Sequence, residues 1–185
     1  MGFTTPACAS LLSASLLLTG CSAPSAEHGI ELSRVDIRTG PRRVEATFFQ
    51  NLKLSAEAQQ ALEHGVPLVV EVRMELRDAL TLTLLHDEAR QFEIRYLPML
   101  EDYQLRSLAG GEPRAFPRLR HALAELGQLE LEFDTGPLAP GQYELRARTQ
   151  LSLTHLPAPM TLPARFSTDW RHDSRWTTWP FEINV

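Results

Sequence analysis

The sequence predicts a mainly β domain: an antiparallel β-sandwich of immunoglobulin-like general architecture with two short helices, a related α+β arrangement being the alternative. Three observations predict it. Apolar and polar residues alternate with a period of two through long segments, most clearly Val70 to Arg77 and Tyr143 to Leu153. Turn residues rich in Gly and Pro separate those segments, as in Thr39-Gly40-Pro41 and Gly136 to Gly141. Helical spacing between start and stop signals occurs in only two short stretches, after Ser55 and after Pro117.

Taken in order, Ile30 to Ile37 and Arg42 to Phe49 read as strands of one hairpin. Ser55 can cap a helix over Ala56 to His64, because its hydroxyl can accept from a first-turn N–H; Gly65 supplies the left-handed residue and Pro67 stops the helix. Ala58, Ala61 and Leu62 form its docking face. Val70, Val72, Met74 and Leu76 then point one way while Glu71, Arg73, Glu75 and Arg77 point the other. Leu80, Leu82 and Leu84 against Thr81 and Thr83 predict a further strand, His86-Asp87-Glu88 a polar turn, and Phe92, Ile94 and Tyr96 the strand after it.

Tyr103 to Leu108 is another strand, ending at Gly110-Gly111, and Phe116, Leu119, Leu123 and Leu126 recur at helical spacing up to Gly127. Leu129, Leu131 and Phe133 open the next strand, and Tyr143 to Leu153 is the longest alternation in the chain. Beyond Pro159 the pattern is less periodic, leading to a last short strand in which Pro180 fits only an edge or a bulge.

The N-terminus carries a different signal. Residues 1–20 contain no Asp, Glu, Lys or Arg, and Leu11 to Leu18 has the length of a secretory apolar region, too short to span a bilayer. Leu18-Thr19-Gly20-Cys21 resembles the lipobox of bacterial lipoproteins, which implies cleavage before Cys21 and a lipid thioether on it. The expected organisation is a signal peptide over 1–20, a flexible tether over 21–30 and a single sandwich domain over 31–185. With about 0.8 kcal/mol per buried methylene, one acyl chain anchors marginally and two or three anchor stably. Ser22 after the cysteine favours, by the sorting rule this resemblance implies, the outer over the inner membrane. The expected place is the periplasmic side of the envelope.

Composition supports an ordinary globular domain, with 43% hydrophobic and 22% charged residues. Cys8 leaves with the signal and Cys21 is acylated, so the mature domain has neither disulfide nor thiol nucleophile and relies on its core. The net charge of −5 and the interleaving of Arg with Glu disfavour nucleic acid as a partner.

Several segments together resemble an exported proteobacterial family of unknown function: Ala61-Leu62-Glu63-His64-Gly65-Val66-Pro67-Leu68, Phe92-Glu93-Ile94-Arg95-Tyr96, Leu138-Ala139-Pro140-Gly141-Gln142-Tyr143, Leu156-Pro157, and Ser167-Thr168-Asp169-Trp170 with Trp176 and Trp179. The resemblance covers nearly the whole mature domain and implies genes often encoded beside a membrane sensor histidine kinase. This chain departs from that pattern in its lipobox and in a shorter, less aromatic stretch between Leu76 and Arg90.

Catalytic signatures are missing from the sequence: there is no G-x-S-x-G, H-E-x-x-H, P-loop or dinucleotide fingerprint, so neither enzyme nor cofactor is expected. The nearest approach to a metal or acid–base site is Asp169, His172 and Asp173; the favoured reading of that stretch is a solvated loop, with Asp169 capping a turn and Trp170 on the core. Trp170, Trp176 and Trp179 are candidate ligand or partner contacts. The odd spacing of the last two puts them on opposite faces of a strand, against a common platform. The expected function is a non-enzymatic envelope lipoprotein that binds an envelope protein or a sensor region. The alternatives are a carbohydrate- or lipid-binding module using those aromatics, and a metal-dependent enzyme.

Overall fold

The computed structural model describes residues 28–184; the expected signal peptide, Cys8, Cys21 and most of the expected tether lie outside the described residues. The chain runs β1 (Gly29–Thr39), β2 (Arg43–Lys53), α1 (Ala56–Glu63), β3 (Leu68–Asp78), β4 (Leu84–Leu97), β5 (Asp102–Ser107), β6 (Arg114–Phe116), α2 (Leu119–Leu126), β7 (Gln128–Asp134), β8 (Gly141–Leu151), α3 (Ala158–Phe166) and β9 (Thr177–Ile183). Short 3-10 turns at Leu153–His155 and Thr168–Trp170 flank α3. Two antiparallel sheets result, one ordered β1-β2-β7 and the other β6-β5-β4-β3-β8-β9.

The alternation read from the sequence is what closes the sandwich. Val44, Ala46 and Phe48 of β2 and Leu129, Leu131 and Phe133 of β7 face Val70, Val72, Met74 and Leu76 of β3 and Leu145 and Ala147 of β8 in one core. The opposite face of the large sheet is wet and charge-matched. Arg73 forks onto Asp87 at 2.9 and 3.3 Å, Arg77 and Arg146 share Glu75, and Arg95 and Arg106 share Glu93. Gln91 and Gln150 donate to Glu71 from either side.

Two expectations fail at the β3–β4 hairpin. Leu80 to Thr83 is the turn rather than a strand, with Leu84 opening β4, and His86-Asp87-Glu88 lies within β4 rather than in a turn. The register pairs Leu76 with His86, Glu75 with Asp87 and Met74 with Glu88. Each polar residue there has a partner: Asp87 has Arg73, and the His86 ring stacks on Phe133 at 5.4 Å. The turn is built by Asp78, whose carboxylate accepts from the Leu80 and Thr81 N–H groups at 3.0 and 2.7 Å and from the Thr81 hydroxyl. Those bonds, the Thr81 N–H first, hold its carboxyl below the usual carboxylate range. Leu82 takes a left-handed φ of 57° to close the loop.

The helices also differ from expectation. Phe116 belongs to β6, and α2 begins only at Leu119 after an extended Arg118. A third helix, α3, contains Pro163 and has Ala164 as its one buried residue, so it shows no inward apolar stripe to read. For α1 the capping is as expected: the Ser55 hydroxyl accepts from Ala58 N–H at 3.1 Å, and Gly65 has φ 86°.

Gly127, at the end of α2, has an unexpected reason. Its φ is −66°, open to any residue. What excludes a side chain is space: a Cβ would lie 2.9 Å from the Ala124 carbonyl oxygen and 3.1 Å from that of Gln50. The Gln50 N–H donates to the Gly127 carbonyl at 2.8 Å, pressing the helix end against β2. Gly127→Ala is expected to cost about 1–3 kcal/mol in urea unfolding with an unchanged m-value. A neutral or stabilising result would show that the helix end moves away freely.

Among the described residues, three of the four edge strands are interrupted, the fourth, β7, being a regular strand of seven residues. β1 carries a bulge between Leu32 and Arg34, β6 has three residues, and β9 is an edge strand with Pro180 opposite Glu144, as the proline predicted.

Candidate functional site

Where β8 ends, the segment 171–175 continues the sheet margin past β9. Leu151 N–H donates to the His172 carbonyl at 2.8 Å, Ser174 N–H to the Thr149 carbonyl at 2.9 Å, and Gln150 bridges Asp173. Between this segment, the end of β8 and α3 opens a cavity of about 650 Å³. Trp170, His172 and Asp173 from the expected loop line it, together with Glu71 and three arginines, Arg165, Arg171 and Arg175. The volume suits a small ligand or a headgroup.

His172 is 2% exposed. Its Nε2 accepts from the Ser55 N–H at 2.9 Å, which fixes a neutral ring carrying its proton on Nδ1. Nδ1 is itself buried without a hydrogen-bond partner. Burial pushes the His172 pKa below its ordinary value, the Trp170 carbonyl opposing and the nearby His28 ring, 5.1 Å away, assisting.

Asp173 is a structural carboxylate. It receives the Arg148 fork at 2.9 and 2.5 Å and the Arg175 N–H at 2.8 Å. Burial raises its pKa, but the Arg148 and Arg175 bonds outweigh that and hold it below the usual range. The turn they form sets Arg175 at φ 59°, a left-handed conformation that costs a non-glycine residue about 1 kcal/mol.

Arg165, Arg171 and Arg175 form no ion pair among the described residues, whereas the arginines of the sheet face are matched to carboxylates. Sequence reasoning passed over these three. One signal was present: the arginines of β3 sit two residues from Glu, as in Glu71-Val72-Arg73-Met74-Glu75, while Arg165 has no acidic residue within three positions.

The other expected contacts are dispersed. Trp170 is buried in the core. Trp179 pairs with Leu145 and packs on the core side of β9, whereas Trp176 lies under the Arg146 guanidinium at 5.1 Å, on the wet side of the sheet. Asp169 is engaged by Ser167, Asp173 by Arg148 and His172 by Ser55. Among the described residues no group of three or more His, Cys, Asp and Glu is placed to hold a metal ion. The remaining histidines have local roles, such as His64, whose Nδ1–H donates to the Gln60 carbonyl at the end of α1.

A second unusual surface lies at the opposite end of the large sheet. The β3–β4 turn exposes Leu80 at 83% and Leu82 at 60%, with Leu84 and Leu85 beside them. The eleven residues of β3 set it about 36 Å from the β3 start.

Among the described residues no helix is long and apolar enough to cross a membrane. A family model described as a domain of unknown function (DUF4390) matches residues 27–180. No curated protein and no solved structure matches the chain.

Proposed function

Because the chain belongs to the DUF4390 family, a domain of unknown function, we propose from its own geometry that it is a non-enzymatic interaction domain of the cell envelope. It is exported, held by lipid on Cys21 at the periplasmic side, and presents the leucine-tipped β3–β4 hairpin to a protein partner. The observation that carries this reading is the tip itself: Leu80, Leu82, Leu84 and Leu85 stand exposed together beyond a sheet face that is otherwise charge-matched. The exposed part of such side chains adds nothing to the stability of the free domain, but it stabilises a complex by roughly 25 cal/mol per Å² of apolar area removed from water. Asp78 holds the turn that displays them.

The ends of the domain support the arrangement. The described chain starts at His28, whose Nε2–H donates to the Thr168 carbonyl at 3.3 Å, at the far end of β3 from the hairpin. An anchor there points the leucines away from the bilayer, toward the extracytoplasmic region of a membrane sensor or an envelope assembly.

The test is co-purification from crosslinked cells. The native chain recovers a reproducible partner, and the variant carrying Leu80→Ser and Leu82→Ser loses it while each substitution changes stability by no more than about 0.5 kcal/mol, since these two side chains are the most exposed of the tip. Equal recovery by both refutes the assignment. Mass spectrometry of the mature N-terminus, with Cys21→Ala as control, tests the anchor; an unlipidated Cys21 removes it.

A further inference from the structure

We infer that the end of the sandwich carrying α3 is a membrane-facing surface, in which Arg165, Arg171 and Arg175 meet the phosphates of an anionic bilayer while Leu162 and Phe166 enter its headgroup region. This rests on the anchoring through Cys21 proposed above.

Three observations converge on it. The first is where the described chain begins. His28 bonds to Thr168, two residues past the end of α3. Cys21 precedes His28 by seven residues, a span of at most about 25 Å. Lipid on Cys21 therefore keeps this end within that distance of the bilayer. Arg171 ties the two features together, since it lines both the main cavity and a smaller hollow with His28 and Lys53.

The second observation is the outward face of α3. A helix on a soluble domain turns its apolar side inward. Here Ala164 is buried and Met160 packs on the core, yet Leu162 is 65% exposed and Phe166 82% exposed. Four residues apart, they share one face, and Arg165 stands beside them. An apolar face flanked by a cation is the composition of a helix that lies in a membrane interface.

Charge is the third. The chain carries a net −5, yet three guanidiniums without ion pairs gather at this end. Each cation near an anionic bilayer strengthens binding about fivefold, and three together about a hundredfold. An acidic protein would satisfy the arginines but not the exposed Leu162 and Phe166. A bilayer satisfies both, and the anchor brings it within reach.

The experiment uses the full chain as processed in its cells, carrying Phe166→Cys or Leu82→Cys labelled with a polarity-sensitive fluorophore and mixed with 7:3 phosphatidylcholine:phosphatidylglycerol vesicles. Acylated Cys21 does not take the label. The probe at position 166 is expected to shift to the blue and the probe at 82 to stay unchanged. Replacing Arg165, Arg171 and Arg175 with Glu is expected to abolish the shift at 166 while the chain keeps its melting temperature. A shift at 82 alone, or at neither position, overturns the inference. So does a shift at 166 that needs no vesicles and grows with protein concentration, which would mean that a second copy covers the face. The mass of Cys21 separates the two readings. Unmodified Cys21, with a vesicle-dependent shift at 166 that persists in a Cys21→Ser chain labelled only at 166, removes the anchor and keeps the surface; lipidated Cys21 with no shift does the reverse.

Discussion

His172→Ala is expected to unfold about 6–12 °C below the native chain, a loss of about 2–4 kcal/mol. The imidazole fills space in the core and accepts from the Ser55 N–H at 2.9 Å, and Ser55 also caps α1. Removing the ring leaves a buried donor without a partner and a cavity beside the first helix. Thermal unfolding followed by circular dichroism measures it; a loss below about 0.5 kcal/mol would show that water replaces the ring at little cost.

The same residue sets a pH dependence whose sign follows from its burial. The folded state keeps His172 neutral with its pKa depressed, whereas the unfolded chain protonates it near the usual value of about 6.5. Below that pH the unfolded state binds the extra proton, so the contribution of His172 is complete above pH 6.5 and is lost as pH falls from there through the folded value. His172→Gln keeps an acceptor for Ser55 and removes the titration. Urea midpoints measured from pH 8 to pH 5 should fall more steeply for the native chain than for this variant. Parallel profiles would mean that the ring accommodates its proton.

Gln50→Leu has the second large effect, about 2–4 kcal/mol in urea unfolding, although leucine fits the volume. Gln50 is a buried polar side chain that joins the two sheets. Its Nε2–H donates to the Leu126 carbonyl at 2.8 Å, and its Oε1 accepts from the Thr149 hydroxyl at 2.7 Å. The substitution orphans both partners, each costing about 1–3 kcal/mol. Adding Thr149→Val removes one orphan and is expected to recover about 1 kcal/mol. Strict additivity of the two losses would show that the bond is not coupled.

What the sequence revealed and concealed divides along a physical line. Val70 to Leu76 and Tyr143 to Leu151 were legible because each strand has one dry and one wet face, and that alternation is local. The opposite placement of Trp176 and Trp179 followed from parity alone. The β3–β4 hairpin was misplaced because polarity shows that His86, Asp87 and Glu88 need partners, not that Arg73 and Phe133 supply them. Helix α3 was hidden because its apolar residues face outward. The burial of His172 was unreadable for a similar reason: its partner Ser55 is 117 positions away, and nothing in Arg171-His172-Asp173 distinguishes a core imidazole from a solvated one.

The interrupted sheet margins bear on how such a domain behaves when crowded. Molecules confined to a surface collide far more often than in bulk, and an open strand is the feature through which colliding β proteins fuse into fibrils. Here the bulge of β1, the three residues of β6 and Pro180 in β9 each break the row of backbone groups that a neighbour's strand would need. The fourth edge, β7, has no such break and is guarded instead by the exposed charges of Glu130, Glu132 and Asp134, so strand addition is disfavoured at every edge but resisted there by charge alone. For a protein partner of the kind proposed above, that leaves the side chains at the tips of the sandwich as the favoured approach, where identity is read residue by residue instead of through the repeating backbone.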